Sequence, residues 1–138
     1  MSALDEMSEA ECLEMLAGHA LGRLAVVVSN QPLIFPVNYA MSGRIVVFRT
    51  ASGTKYFNAP ESKVAFEIDG FDTATGVGWS VMVQGVAQDA TDLYDPVSWA
   101  AHAVSPEPMA PGAKNYLVAI APSRITGRRF RSEPRPAR

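Results

Sequence analysis

Residues 24–50 decide the fold. They read Leu24-Ala25-Val26-Val27-Val28, then Ser29-Asn30, then, after Gln31, Pro32-Leu33-Ile34-Phe35-Pro36-Val37-Asn38-Tyr39-Ala40-Met41, then Ser42-Gly43, then Arg44-Ile45-Val46-Val47-Phe48-Arg49-Thr50. Runs rich in β-branched and aromatic side chains are separated by short turn-forming pairs, which is the pattern of an antiparallel meander with tight hairpins. Working outward, Lys63 to Phe71 and Trp79 to Ala90 are longer strands, and Tyr116 to Phe130 supplies one or two more. About six strands in one small domain favour a barrel over a flat sheet. Ile45 and Val47 alternate with Val46 and Phe48, so the third run is apolar on both faces. One face can line a barrel, and the other needs a helix or a second copy of the chain to cover it. Dimerisation is the economical expectation.

Helices flank this β-rich middle. Ser8, with Glu11 three residues on, is a capping-box signature; Cys12, Leu13, Met15 and Leu16 supply the apolar face, and Gly18 ends the helix. Thr91 to Ala103 suits a helix or helical turns entered at Pro96. Ser105 to Gly112 is too proline-rich for a strand or helix interior. Residues 1–130 are expected to form a single domain, and 131–138 a disordered tail.

The chain has 138 residues, 48% apolar and 19% charged, with a formal net charge of −2. That balance describes a compact globular domain and gives no broad attraction to nucleic acid or an anionic membrane, so any anionic ligand needs a local cluster of cations. A single cysteine, Cys12, precludes an internal disulfide and, with no Cys/His ligand spacing, no metal site is expected. The start lacks a secretory pattern and no stretch is long enough to span a bilayer, so a cytoplasmic location is expected.

The stretch richest in chemistry is Phe48-Arg49-Thr50-Ala51-Ser52-Gly53-Thr54-Lys55. A strand ends, Gly53 permits an unusual turn, and a short helix can begin at Thr54. Backbone N–H groups, hydroxyls and the cations Arg49 and Lys55 fall within a few residues, as a phosphate site needs. A solvated turn with ordinary surface charges is the other reading. Pro36 interrupts an otherwise good strand, which places it at an edge or bulge, and Asn38 brings an amide into apolar surroundings. Trp79 offers either a flat ligand wall or plain core packing; Ser80 and Gln84 lie on the face opposite to it. Gly76-x-Gly78 lacks the third glycine and the following helix of a dinucleotide fingerprint. Glu67 and Asp69 share one strand face, as a carboxylate pair or as solvent-facing charges. His19 and His102 have no metal partner at a useful spacing, and no serine sits in a nucleophile elbow. No catalytic residue is assigned, and any redox chemistry must come from a cofactor.

Taken in order, Leu21-Gly22-Arg23-Leu24-Ala25, Phe35-Pro36-Val37-Asn38-Tyr39, Phe48-Arg49-Thr50 with Gly53-Thr54-Lys55, Val64-Ala65-Phe66-Glu67-Ile68-Asp69, Gly78-Trp79-Ser80-Val81 with Gly85, and Ile125-Thr126-Gly127-Arg128-Arg129-Phe130 resemble the pyridoxamine 5′-phosphate oxidase-like split β-barrel flavin-binding proteins. The resemblance covers about residues 8 to 130. It implies a mainly β split barrel with short helices, paired into a homodimer with flavin at the interface. It further implies that Arg49, Thr50, Gly53, Thr54 and Lys55 hold the flavin phosphate. Pro36, Val37, Asn38 and Tyr39 would border the isoalloxazine ring, and Trp79 and Ser80 would close the site, in one version from the other subunit. The ending has Arg128, Arg129 and Arg131 but no histidine, which departs from the substrate-binding pattern of the vitamin B6 oxidase itself. The chain is similar to small actinobacterial members that sequester FMN or FAD. A flavin- or deazaflavin-dependent oxidoreductase acting on a small substrate is the alternative.

Overall fold

The computed structural model describes residues 4–50, 62–92, 94–104, 106 and 116–132. In chain order the elements are β1 (Leu4–Met7), α1 (Glu9–Ala17), β2 (Leu21–Val28), β3 (Gln31–Ser42), β4 (Ile45–Thr50), β5 (Ser62–Asp72), β6 (Val77–Asp89), α2 (Pro96–His102) and β7 (Tyr116–Arg131). The fold is mainly β, as expected from the alternating apolar runs. β1 was not expected: four residues, half of them acidic, carry no strand pattern of their own, and pairing with β7 organises them.

All the paired strands are antiparallel, in the order β1-β7-β4-β3-β2-β5-β6, and β6 also pairs with β7. That last pairing closes β7-β4-β3-β2-β5-β6 into a barrel and leaves β1 appended to the far half of β7. β7 is therefore one strand rather than two. Its first half pairs with β4 (Val46 with Ile120, Thr50 with Tyr116) and its second half with β1 (Leu4 with Phe130). Where it passes β6, Gln84 faces Arg124 and Gly85 faces Pro122, so Ser123 is an extra residue in a bulge. Pro122, which has no N–H for a ladder, is tolerated there, and Ser123 Oγ donates to the Gln84 carbonyl at 3.0 Å.

The hairpins fall where the turn-forming pairs place them. Ser29 and Asn30 both have positive φ (50° and 62°), as a two-residue type I′ turn requires. Gly43 has φ 59° at the β3–β4 turn. Val46 and Phe48 point into the barrel with Leu24, Val37, Phe66 and Ile120. α1 plugs this core with Cys12 and Leu16, both fully buried, under a capping box between Ser8 and Glu11.

Val47 points outward and packs with Leu117, Ala119 and Ala101 of α2. The cover for that face is thus a helix of the same chain, and β4 does not itself require a second copy. α2 is shorter than the Thr91–Ala103 expectation because Asp89 holds Thr91 in a turn at 2.6 Å, and Asp95 and Pro96 then start the helix.

Candidate functional site

β3 continues past its partner. Residues 39–42 of β3 pair with β4, but residues 31–38 pair only with β2. The sheet splits at this point, and both Pro32 and Pro36 lie on the stretch paired on one side, where a missing N–H is harmless. The last β3–β4 partners are Tyr39 and Phe48. One position further, the register sets Asn38 opposite Arg49, both on the outer face with Pro36.

Phe35, Val37 and Tyr39 belong to the barrel interior instead. Tyr39 is buried, stands edge-on to Phe66 with centroids 4.8 Å apart, and donates its hydroxyl to the Leu16 carbonyl at 2.6 Å. Burial pushes its phenol up to about 12. By strand alternation Thr50 falls on the inner side at the end of β4. Gly53, Thr54 and Lys55 lie outside the described residues, as do most of the Ser105–Gly112 loop and the tail beyond residue 132.

Trp79 packs against the barrel core, 4.9 Å from the His19 ring and over Gly70, where a Cβ would come within 2.7 Å of its indole nitrogen. Ser80 faces outward on β6. It is separated from Asn38 by β2 and β5, roughly 14 Å of sheet at ordinary strand spacing. The outer surface of a barrel is convex, so these side chains diverge. Within one chain, strand alternation puts Pro36, Asn38 and Arg49 on the same outer face just past the end of the β3–β4 ladder and leaves Ser80 apart from them.

Arg49 has no hydrogen-bond or ion-pair partner among the described residues, and neither the Asn38 amide nor the Ser80 hydroxyl has a side-chain partner there. Half-buried polar groups normally find partners. The Arg49 guanidinium and the Asn38 amide, unpaired on the same outer face, are donors of the kind an anionic ligand needs; the Ser80 hydroxyl lies apart from both.

Sequence reasoning missed the role of Arg23. Its Nη1 donates to Glu67 Oε1 at 3.2 Å and to Asp69 Oδ2 at 3.0 Å, so two carboxylates share one cation. Burial, with Asp69 beside it, raises the Glu67 carboxyl above its ordinary value, against the pull of Arg23. The register Arg23–Glu67 between β2 and β5 was not readable locally, because their strands are far apart in sequence. Glu67 also borders a groove of about 490 Å³ on the outer face of β5, β6, β7 and β1, with Ser80, Met82, Gln84, Arg124 and Arg128. Among the described residues Arg124 and Arg128 have no carboxylate partner. The described residues contain no group of three or more His, Cys, Asp or Glu that could hold a metal ion, and no helix long and apolar enough to cross a membrane.

The closed antiparallel barrel, split between β3 and β4 and plugged by an N-terminal helix, is the architecture of the pyridoxamine 5′-phosphate oxidase-like split β-barrels. The family model described as pyridoxamine 5′-phosphate oxidase matches residues 8–129, and the chain belongs to that family. The solved structure of a FAD binding protein from Mycobacterium smegmatis is 40% identical, with a TM-score of 0.71, over 92% of this chain and 98% of that one. An uncharacterised protein of Mycobacterium tuberculosis is 32% identical over 94% of this chain and 88% of its own length. A FAD-binding protein from Mesorhizobium loti shares the fold at 24% identity and a TM-score of 0.68, over 91% of this chain and 97% of that chain.

Proposed function

We propose that the protein binds a flavin through its phosphate, as FMN or FAD, between two copies of the chain, and that it holds the flavin rather than turning over a substrate. The observation that carries this reading is the Arg49 guanidinium, unpartnered among the described residues, opposite Asn38 at the split between β3 and β4 and close in sequence to Gly53-Thr54-Lys55. Arg49 and Lys55 would neutralise the phosphate, with Thr50, Thr54 and the Gly53 backbone supplying further donors. Pro36 and Asn38 would border the ring, with Val37 and Tyr39 fixing their strand from inside. The likeness to a protein named for FAD binding, at 40% identity, supports the same class of ligand. Bound flavin supplies hydride and electron transfer; the residues named here bind and orient it.

The divergence of Ser80 and Arg49 supports a second copy. Because one convex barrel cannot aim both at one ligand, Ser80, next to Trp79 on β6, would come from the other copy. The outer face also leaves Leu21, Val27 and Ile34 well exposed at 57%, 67% and 72%, an apolar area suited to a protein contact. The cytoplasm is the expected setting.

A flavin- or deazaflavin-dependent oxidoreductase is the second reading. The groove favours it, since Arg124 and Arg128 could hold an anionic substrate beside the cofactor. An absorbance spectrum of the purified protein, with mass spectrometry of what heat releases, tests the first reading. A flavin spectrum and an FMN or FAD mass are expected. A protein that is colourless and takes up neither added FMN nor added FAD would overturn it. Steady turnover of a bound flavin with a small substrate would favour the second.

A further inference from the structure

Three aromatic rings meet on the solvent side of α2. Tyr94 and His102 are stacked, with centroids 5.8 Å apart and an interplanar angle of 18°, and Tyr94 lies 6.4 Å from Trp99. Tyr94 is 73% exposed and Trp99 66%. Single exposed aromatics are ordinary, whereas a contiguous exposed cluster of them is the kind of patch that marks a contact site. The cluster is held firmly. Asp95 accepts hydrogen bonds from the backbone N–H groups of Val97 and Ser98 and from the Ser98 hydroxyl. The Gln88 amide donates to both Asp95 and Ser98. His102 Nε2 donates to the Ala90 carbonyl at 2.9 Å.

A continuous path joins this cluster to the proposed phosphate site. Arg49 pairs with Leu117, the Leu117 carbonyl accepts from Ala90 N–H at 2.7 Å, and the Ala90 carbonyl accepts from His102. That path crosses about two strand spacings, roughly 10 Å of sheet. Arg49 shares the outer face with Val47, on which α2 packs. A phosphate at Arg49 and a ring on Tyr94 and Trp99 are therefore on the same side of the same sheet.

Resting on the flavin reading above, we propose that Tyr94, Trp99 and His102 form a platform for the adenine ring of a dinucleotide, so that the flavin held is FAD in preference to FMN. Adenine has a flat π-face and no charge to satisfy, and stacking on aromatic rings is how proteins commonly hold a nucleobase. FMN ends at the phosphate and gains nothing from this surface.

The test is to titrate the full chain with FAD and with FMN, as wild type, Trp99→Ala, Tyr94→Ala and Trp99→Phe, and to measure the oligomeric state of each. Wild type is expected to bind FAD more tightly than FMN. Trp99→Ala should weaken FAD by about tenfold, the scale of one base–aromatic stack, and leave FMN unchanged. Tyr94→Ala should act in the same direction, and Trp99→Phe should recover most of the difference. Equal affinity for the two flavins in wild type would overturn the inference while leaving flavin binding intact. So would a Trp99→Ala variant that weakens both flavins alike or changes the oligomeric state instead. If neither flavin binds, the functional reading itself falls and this inference goes with it.

Discussion

The Tyr39 hydroxyl donates to the Leu16 carbonyl at 2.6 Å, tying the plug helix α1 to the wall of the barrel. Leu16 lies in the last turn of α1, where its carbonyl otherwise takes a long 3.5 Å bond from the His19 N–H just past the helix end. Tyr39→Phe keeps the ring against Phe66 and removes only this bond. A destabilisation of about 1 kcal/mol is expected in urea denaturation.

The same residue sets an alkaline limit. Its phenol is pushed up from 10.0 to about 12. The folded state holds the proton more tightly than the unfolded chain, so this contribution is complete below the ordinary tyrosine value. It is lost as pH rises through the folded value. Stability of the wild type should fall over that window more steeply than that of Tyr39→Phe. Parallel curves would show that Tyr39 is not the group responsible.

Arg49→Ala, alone and with Lys55→Ala, tests the phosphate site. Removing each charge-assisted hydrogen bond should cost on the order of 1.5–3 kcal/mol in flavin affinity. The thermal midpoint without flavin should barely move, because Arg49 makes no ion pair among the described residues. Unchanged flavin affinity in the double variant would remove the site assignment.

Two glycines make a contrasting pair. A Cβ at Gly85 would collide with the Ala121 carbonyl oxygen, whereas the tightest contact of one at Gly127 would be the Cys12 side chain, Sγ at 2.6 Å, with the Ser80 carbonyl oxygen at 3.1 Å and Met7 Sδ at 3.2 Å. Backbone cannot yield as a side chain can. Gly127→Ala is expected to cost about 1–3 kcal/mol, with part recovered by adding Cys12→Ala. Gly85→Ala should be the more damaging of the two by chemical denaturation, with no recovery from Cys12→Ala.

Asp95→Ala removes the N-cap of α2, at an expected cost of about 0.5–2 kcal/mol. The Ser98 hydroxyl and then the Ser98 N–H hold the Asp95 carboxyl below its ordinary value. Its contribution is therefore present above the unfolded-state value and disappears as pH falls through the lower folded one. The difference between wild type and Asp95→Ala should shrink on acidification. Without this cap the Trp99 ring should also loosen, seen as a change in indole fluorescence anisotropy.

Much of the barrel was legible because each strand carries its own signal. The Ser29-Asn30 and Ser42-Gly43 turns fix two hairpins, and the runs around them alternate with the pleat. β1 escaped because Leu4-Asp5-Glu6-Met7 has no such pattern. The length of α2 escaped because Asp89 and Thr91 hold a turn where composition alone permits a helix.

Of the proposed site, Arg49, Asn38 and Pro36 could be picked out as polar residues, or a proline, in apolar strands. Which way each points followed from alternation once Val37 and Tyr39 were known to be inside. Trp79 could not be placed that way, since its face depends on which side of β6 the barrel closes.

What the sequence by itself determined was local: strand and helix identity, turn chemistry, the capping box, and the ordered segments that mark the family. These follow from backbone propensity and periodicity over a few residues. What only the tertiary structure decided was long-range. β7 closes the barrel on β6, α2 rather than a second copy covers Val47, Arg23 binds Glu67 and Asp69, and Tyr94, Trp99 and His102 gather on the same side of the sheet as Arg49. Each of these depends on strand register between segments distant in the chain, and register is set by the packing of the whole barrel rather than by any one stretch of residues.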